Sequence, residues 1–155
     1  MVQAIPDGYH TVMPVLVFKD ARKAMEFYKT AFGAVELFAM PGPGGRGVMV
    51  AQMRIGDSVV MFGEEGPVGK KSAEMMGGSP VSFFLYVPDA DAAYQQAVAA
   101  GATSTTPVAD QFWGDRCGGV KDPFGYYWML ASHTRDMSME EIAAASKAAM
   151  GGGQK

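Results

Sequence analysis

The sequence predicts an α+β fold in which tandem βαβββ modules form two cupped mixed sheets, followed by a C-terminal helix. The first observation is an internal repeat. An apolar strand, a turn ending in Asp-Ala, an amphipathic helix and a glycine occur in this order at residues 15–33 and again at 84–101. The second is that each helix is followed by short apolar segments separated by turn residues, which is typical of antiparallel strands.

Length and composition indicate one domain. The chain has 155 residues, of which 48% are apolar, and a chain of this size builds a core without a metal or a disulfide. We expect a single domain over residues 1–155, with module one at about 10–63, a linker at 64–79, module two at about 80–132 and the last helix at about 138–149.

Charge and cysteine content exclude several classes of function. The net charge of −3 provides no positive field for a phosphate backbone, so we expect no nucleic-acid binding. Cys117 is the only cysteine, which is consistent with a reducing cytoplasm. Because the N-terminus lacks a signal pattern and no apolar run is long enough to span a bilayer, we expect a cytoplasmic protein without membrane contact.

The helices have clear start and stop signals. Asp20 and Asp89 are suited to accept hydrogen bonds from the first backbone N–H groups of the two repeated helices, and Gly33 and Gly101 follow them where a left-handed residue is common. Ser138 and Glu141 form a capping-box pair for the last helix. We expect that helix to end near Ala149, with a frayed tail at 151–155. The apolar face of the first helix is formed by Ala24, Phe27, Tyr28, Ala31 and Phe32.

The remaining strands are placed by apolar runs and turn residues. Gly56-Asp57 predicts a hairpin turn, and the Asp-Pro-Phe-Gly run at 122–125 predicts another turn. Besides the first strand of each module, the predicted strands are 35–40, 47–55 and 58–62 in module one, and 103–108, 118–121 and 126–131 in module two.

Several segments together resemble a known family. They are Phe-Tyr-Lys followed by Ala-Phe-Gly-Ala within 27–34, Arg-Ile-Gly-Asp-Ser at 54–58, Gln-Phe-Trp-Gly-Asp-Arg at 111–116, Asp-Pro-Phe-Gly at 122–125 and Ser-His-Thr-Arg-Asp at 132–136. In order and spacing, over about residues 12–145, they resemble the PhnB-like branch of the glyoxalase/bleomycin-resistance/dioxygenase (vicinal oxygen chelate) superfamily. The resemblance implies eight strands in two cups, a potential binding cavity in each cup, and frequent homodimers.

The same resemblance implies where a divalent metal would bind in metal-using relatives. Their His and Glu ligands lie seven residues before the aspartate that follows the first strand of each module, and on the last strand of each module. In this chain the four positions hold Met13, Met61, Ser82 and Met129. Thioethers and a hydroxyl are poor ligands for hard or borderline divalent ions. We therefore expect no metal and no cofactor.

The two histidines are poor candidates to replace the metal ligands that this chain lacks. His10 precedes the first strand, and His133 is expected just beyond the last strand, where a hydrogen bond to Asp136 is the favoured interpretation. Relatives in the PhnB-like branch often carry histidines where Phe84 stands and near Tyr126. Aromatic residues at both places weaken the case for an enzyme.

A loop in module two leaves two interpretations open. Trp113 and Arg116 either present an aromatic face and a cation at a cavity mouth, or Trp113 fills the core while Asp115 pairs with Arg116 or a neighbouring strand. Arg116 is also adjacent to Cys117, where it would favour the thiolate, although a structural thiol is the preferred interpretation.

Two functions follow from these patterns. The first is a metal-independent binding protein for a small apolar or aromatic ligand, acting as a homodimer. The second is a lyase or dioxygenase-type enzyme with a rebuilt or absent metal site. The predicted ligand-binding residues are Met13, Met61, Phe84, Tyr86, Trp113, Arg116, Trp128 and Met129.

Overall fold

The computed structural model describes residues 1–152 and contains two four-stranded mixed sheets. The first sheet has the order β1-β4-β3-β2 and the second the order β5-β8-β7-β6. The strands are β1 Val15–Phe18, β2 Val35–Pro41, β3 Val48–Ile55, β4 Ser58–Glu64, β5 Ser82–Tyr86, β6 Thr103–Asp110, β7 Asp115–Lys121 and β8 Tyr127–His133. The helices are α1 Ala21–Phe32, α2 Ala73–Met76, α3 Ala90–Ala100 and α4 Met139–Gly151.

The two sheets repeat one topology, so the predicted fold class is confirmed. In each sheet the first strand lies parallel to the last, while the other neighbours are antiparallel. The helix that crosses between the first two strands of each module covers one face of its sheet. This places the two helices, α1 and α3, against each other in the centre of the molecule.

Local signals determine both ends of the repeated helices. The side chains of Asp20 and Asp89 accept hydrogen bonds from the backbone N–H groups of Lys23 and Ala92, each at 3.0 Å. Gly33 ends α1 in the left-handed conformation as expected (φ 65°, ψ 28°). The residue after α3, Gly101, has φ 121°, which is positive but outside the left-handed helical region.

Strand boundaries in module two differ from the prediction. β7 begins at Asp115, ahead of the predicted 118, and β8 extends to His133 instead of ending before it. These two residues pair across the ladder, so each lengthens the strand of the other. The missed start of β7 includes Asp115, and aspartate is depleted in strands. A Cβ added at Gly118 would lie 2.7 Å from a Val108 methyl carbon, so only glycine fits there.

The C-terminal helix has the predicted N-cap, Ser138, and ends two residues later than expected, at Gly151. Ser138 and Glu141 form the complete capping box, which satisfies two free donors of the first turn. Of the predicted tail, Gly151 is the last helical residue, whereas 153–155 lie outside the described part of the chain. No helix within residues 1–152 has the length and apolar character that crossing a membrane requires.

One buried carboxylate joins the two modules. Asp122 Oδ1 accepts hydrogen bonds from the backbone N–H groups of Phe124 and Tyr126, both at 2.9 Å. Its Oδ2 accepts from Trp128 Nε1 at 3.0 Å and from the hydroxyl of Tyr28 on α1. Burial raises the pKa of the Asp122 carboxyl, although its four donors favour the charged form. Asp122 thereby closes its own turn and attaches it to the helix of the other module.

We predict that Asp122→Asn lowers the free energy of unfolding by about 1–3 kcal/mol, the cost of leaving a buried polar group without a partner. The amide NH₂ has to face either two backbone N–H groups or the Trp128 indole N–H, and none of these accepts a hydrogen bond. Urea unfolding followed by circular dichroism measures the change. Asp57→Asn, in the exposed β3–β4 turn, is the control and is expected to be neutral. A loss below about 0.5 kcal/mol, the usual size of surface effects, contradicts the role assigned to Asp122.

Candidate functional site

Each sheet has one face covered by helices and one face turned away from them. On β1, Leu16 and Phe18 are buried against the helices, while the alternate residue Val15 is 60% exposed. The register aligns Leu16 with Phe62 and Val15 with Met61, so the alternation continues across the sheet. We call the covered side the helix face and the open side the cup face.

The cup face of module one is apolar around a single buried amide. Met61 is half-buried on β4 and pairs with Gln52 on β3. Gln52 is 8% exposed, and its Oε1 accepts a hydrogen bond from the Tyr9 hydroxyl. Phe38 lies opposite Gln52 on β2 and remains exposed. This cup therefore has thioether and aromatic groups at its surface and a residue of the N-terminal segment bound at its centre.

The cup face of module two holds a shallow aromatic hollow of about 300 Å³. Phe84, Tyr127 and Met129 line it, and the ring of Tyr86 lies 5.1 Å from that of Phe84. Gly119 lies at its base, where a Cβ would come within 2.6 Å of Thr105 Oγ1. Phe84 and Tyr86 are 50% and 60% exposed, values that are unusual for such large apolar rings.

The four positions that hold metal ligands in relatives do not fit a metal here. Met61 and Met129 lie on the cup faces of different sheets, each aligned with an apolar residue of the neighbouring strand. Met13 lies before β1 and lines a cavity between the modules, whereas Ser82 starts β5. Within residues 1–152, no three His, Cys, Asp or Glu side chains are grouped so as to hold a metal ion. The donor set consists of soft thioethers and one hydroxyl, which suits no hard divalent ion.

Two of the predicted cup residues belong to the helix face instead. Trp128 is 4% exposed and packs against Phe32 and Phe83 with centroid distances of 4.8 and 4.6 Å. Because side chains alternate along a strand, Trp128 cannot share a face with Met129. Arg116 makes a bidentate ion pair with Asp91 of α3, at 2.6 and 2.8 Å. The structure therefore places the Arg116 guanidinium on the helix face, and not at the cavity mouth where one of the two interpretations had it.

A buried carboxylate organises the rim of the module-two cup. Asp115 is 3% exposed, and its two oxygens contact Tyr86 Oη at 3.0 Å, Trp113 Nε1 at 2.9 Å and His133 Nδ1 at 2.8 Å. Burial opposes ionisation of Asp115, but these three hydrogen bonds outweigh it and keep its pKa below the usual range. Trp113 is half-buried and tethered by its N–H group, so it lies at the cup rim and is not a core plug.

The sequence predicted some of the residues at this rim, but not the hydrogen bonds that connect them through Asp115. The predicted contact between His133 and Asp136 is confirmed at 2.9 Å. Asp115 bonds to His133 on the adjacent strand β8 and not to Arg116, so of its two predicted partners the neighbouring strand is the correct one. Strict alternation from Phe84 and Met129 would also have placed Tyr127 in the cup. No signal in the sequence linked Tyr86 to Asp115, since they lie on strands that are not sequence neighbours.

Cys117 is a buried structural thiol. It lies on β7 opposite Ala131 and is 1% exposed. Burial raises the pKa of its thiol, and the carboxylate of Asp115 raises the pKa further. The Arg116 guanidinium is engaged with Asp91 and Asp110, so it does not favour the thiolate.

Comparisons with known proteins agree with this architecture. A family model described as the Glyoxalase/Bleomycin resistance protein/Dioxygenase superfamily matches residues 9–130. An uncharacterized protein of Mycobacterium bovis is 46% identical over 136 residues, which cover 85% of this chain and 89% of that protein. The structure of an Arabidopsis thaliana gene product aligns with a TM-score of 0.65 at 29% identity, covering 79% of this chain and 98% of that one. TioX from Micromonospora sp. ML1 aligns with a TM-score of 0.63 at 23% identity, covering 83% and 100% of the two chains, a likeness of fold alone.

We predict that His133 titrates above its ordinary value and that Asp136→Asn lowers its pKa. Both ring nitrogens face carboxylate oxygens, first Asp136 and then Asp115, and these contacts raise the pKa of His133. Because the folded pKa is raised, this contribution to stability is complete below the unfolded pKa of about 6.5 and is lost as pH rises through the folded value. Proton NMR titration of the ring measures the pKa. Asp110→Asn, which removes a carboxylate from Arg116, is the control, and a wild-type value below about 6.5 contradicts the arrangement.

Proposed function

This chain belongs to the glyoxalase/bleomycin resistance protein/dioxygenase superfamily, and we propose that within it the protein is a metal-independent binding protein for small apolar or aromatic molecules. The proposal includes membership of the PhnB-like branch and action in the cytoplasm. The observation that carries it is the aromatic hollow of the module-two cup, lined by Phe84, Tyr127 and Met129, of which Met129 stands where metal-using relatives hold a ligand.

The composition of the hollow favours a planar ligand. Aromatic rings and a thioether provide flat, polarizable contacts that adapt to varied shapes. The base of the hollow is backbone at Gly119, which allows a ring to approach the sheet closely. Lys121 Nζ lies 5.4 Å from the Tyr127 ring centroid, so the nearest cation is stacked on an aromatic wall. These groups support binding through burial of apolar surface, with few polar contacts to set orientation.

The rim offers a hydrogen-bonding edge to such a ligand. Tyr86 stands with its ring exposed while its hydroxyl donates to Asp115, and His133 is held between two carboxylates. A ligand lying on Phe84 and Tyr86 would therefore meet fixed polar groups at one end only. This arrangement suits an aromatic molecule with a single polar substituent.

The alternative is a lyase or dioxygenase-type enzyme of the same superfamily with a rebuilt or absent metal site. The Asp115–His133 pair is the one feature that favours it, since a carboxylate-oriented imidazole is a common acid–base device. Both nitrogens of His133 face carboxylates, at 2.8 and 2.9 Å. The ring therefore presents no free lone pair for a metal or a substrate proton, and binding is the better-supported function.

The cups also support a homodimer. β1, β2, β5 and β6 are the edge strands of the two sheets, and unpaired edges favour association. Val15, Phe38 and Met40 on one cup face and Phe84 and Tyr86 on the other leave large apolar side chains in water, which marks an interaction surface. A second copy that covers an open cup would turn a shallow hollow into an enclosed site.

We predict micromolar binding of planar aromatics, measured by fluorescence titration of the tryptophans, with no dependence on metal or chelator. Tyr86→Ala is expected to weaken binding up to about tenfold, since an aromatic contact contributes about 0.5–1.5 kcal/mol beyond burial. Met129→Glu places a charge in the hollow and is expected to weaken binding further. Val35→Ala, on the exposed outer strand β2, is the control. About one bound zinc, iron, nickel or manganese per chain in elemental analysis would contradict metal-independent binding.

We predict a dimeric mass at tens of micromolar protein in size exclusion with light scattering. Phe38→Glu is expected to shift the equilibrium towards monomer, because a charge on the cup face cannot be buried cheaply in an interface. Met139→Glu, on the exposed start of α4, is the matched control. A monomeric mass for the wild type refutes the dimer, and equal effects of both variants would place the interface elsewhere.

A further inference from the structure

An apolar cavity lies between the two modules and shares Phe83, Phe84 and Trp128 with the module-two hollow, and we infer that it is a second ligand site, for a small uncharged aromatic molecule. It has a volume of about 260 Å³, slightly below the roughly 300–1,000 Å³ of drug-sized sites. Module one contributes the end of the β3–β4 hairpin, and module two contributes β5 and Trp128. The N-terminal residues 9–14 form the remaining wall, and we call this segment the strap.

The wall contributed by module two is flat and aromatic. Phe83 stacks on Trp128 with a centroid distance of 4.6 Å and an interplanar angle of 27°. Trp128 is fixed from behind by its hydrogen bond to Asp122, so this surface does not rearrange easily. Val59 and Val60 close the opposite side. A rigid aromatic pair facing aliphatic groups selects a planar molecule of one or two fused rings.

Polar groups are confined to the mouth of this cavity. Tyr9, His10 and Ser58 are the only lining residues with polar side-chain oxygen or nitrogen besides Trp128, whose N–H is already bound. No Lys, Arg, Asp or Glu lines the cavity among residues 1–152. A charged ligand would lose its hydration without compensation, so the site suits a neutral ring system that carries one hydroxyl or carbonyl group.

The strap joins the sheet at Pro14, whose carbonyl accepts a hydrogen bond from the Met61 N–H at 2.9 Å, and few contacts hold the rest of the strap. Tyr9 donates its hydroxyl hydrogen bond to Gln52, and His10 Nε2 lies 3.9 Å from an Asp57 oxygen, both side chains being largely exposed. Exposed ion pairs of this kind are weak. The Tyr9–Gln52 hydrogen bond is therefore the main latch between the strap and the sheet, and it controls how fast a ligand enters and leaves.

The test uses 2-naphthol as the probe and isothermal titration calorimetry as the measurement. Ser58→Cys, at the exposed mouth, is labelled with benzyl methanethiosulfonate on the folded protein, so that the benzyl group blocks the cavity. Thr30→Cys, at an exposed position on α1 and labelled in the same way, is the control. Cys117 is buried and stays unlabelled, which mass spectrometry verifies.

We expect micromolar binding to the wild type and to labelled Thr30→Cys, and at least tenfold weaker binding to labelled Ser58→Cys. The same comparison is made in the Tyr86→Ala background, where the cup contributes less to binding; the loss caused by the Ser58 label is expected to persist there, so the failure of the cup proposal and the failure of this one are distinguishable. Tyr9→Phe is expected to raise the dissociation rate in stopped-flow fluorescence at least threefold. Equal binding by both labelled proteins overturns the inference, as does the absence of wild-type binding at millimolar probe.

Discussion

The buried carboxylate of Asp122 is the interaction on which the relative placement of the two modules depends. It gathers two backbone donors of its own turn, the indole of Trp128 and the hydroxyl of Tyr28. Tyr126, in the same turn, adds a hydrogen bond from its hydroxyl to the carbonyl of Val17 at 2.8 Å. An acceptor this deeply buried is stable only when every donor is in place, so the turn, the helix and the strand are fixed together.

The orientation of the cups follows from that constraint. Because the turn of module two is bound to the helix of module one, α1 and α3 pack against each other and the helix faces merge into one core. The cup faces are left pointing away from this core. Their exposed aromatic and thioether side chains are therefore a consequence of the same packing that stabilises the fold. The cavity between the modules borders this shared core at Ile55, Val60 and Trp128.

The pKa values of two buried aspartates of module two are shifted in opposite directions because their surroundings differ. Asp122 is surrounded by neutral donors within the core, and burial raises its pKa. Asp115 lies at the cup rim beside the His133 ring, and its hydrogen bonds hold its pKa low despite burial. One carboxylate serves the architecture, whereas the other positions Tyr86, Trp113 and His133 around the candidate binding surface. Both groups are carboxylates, and their different surroundings determine their different roles.

The sequence by itself determined the repeated modules, the caps at Asp20 and Asp89, the turn at 122–125 and the thioether side chains at Met61 and Met129. These features depend on residue type and local spacing, which are readable along the chain. Only the tertiary structure decided that Trp128 belongs to the core, that Arg116 pairs with Asp91, that Asp115 joins Tyr86 and His133, and that a strap closes a cavity between the modules. Each of these is a contact between residues far apart in sequence. Which partner a polar side chain finds depends on how the helices and sheets pack, and no local pattern encodes that.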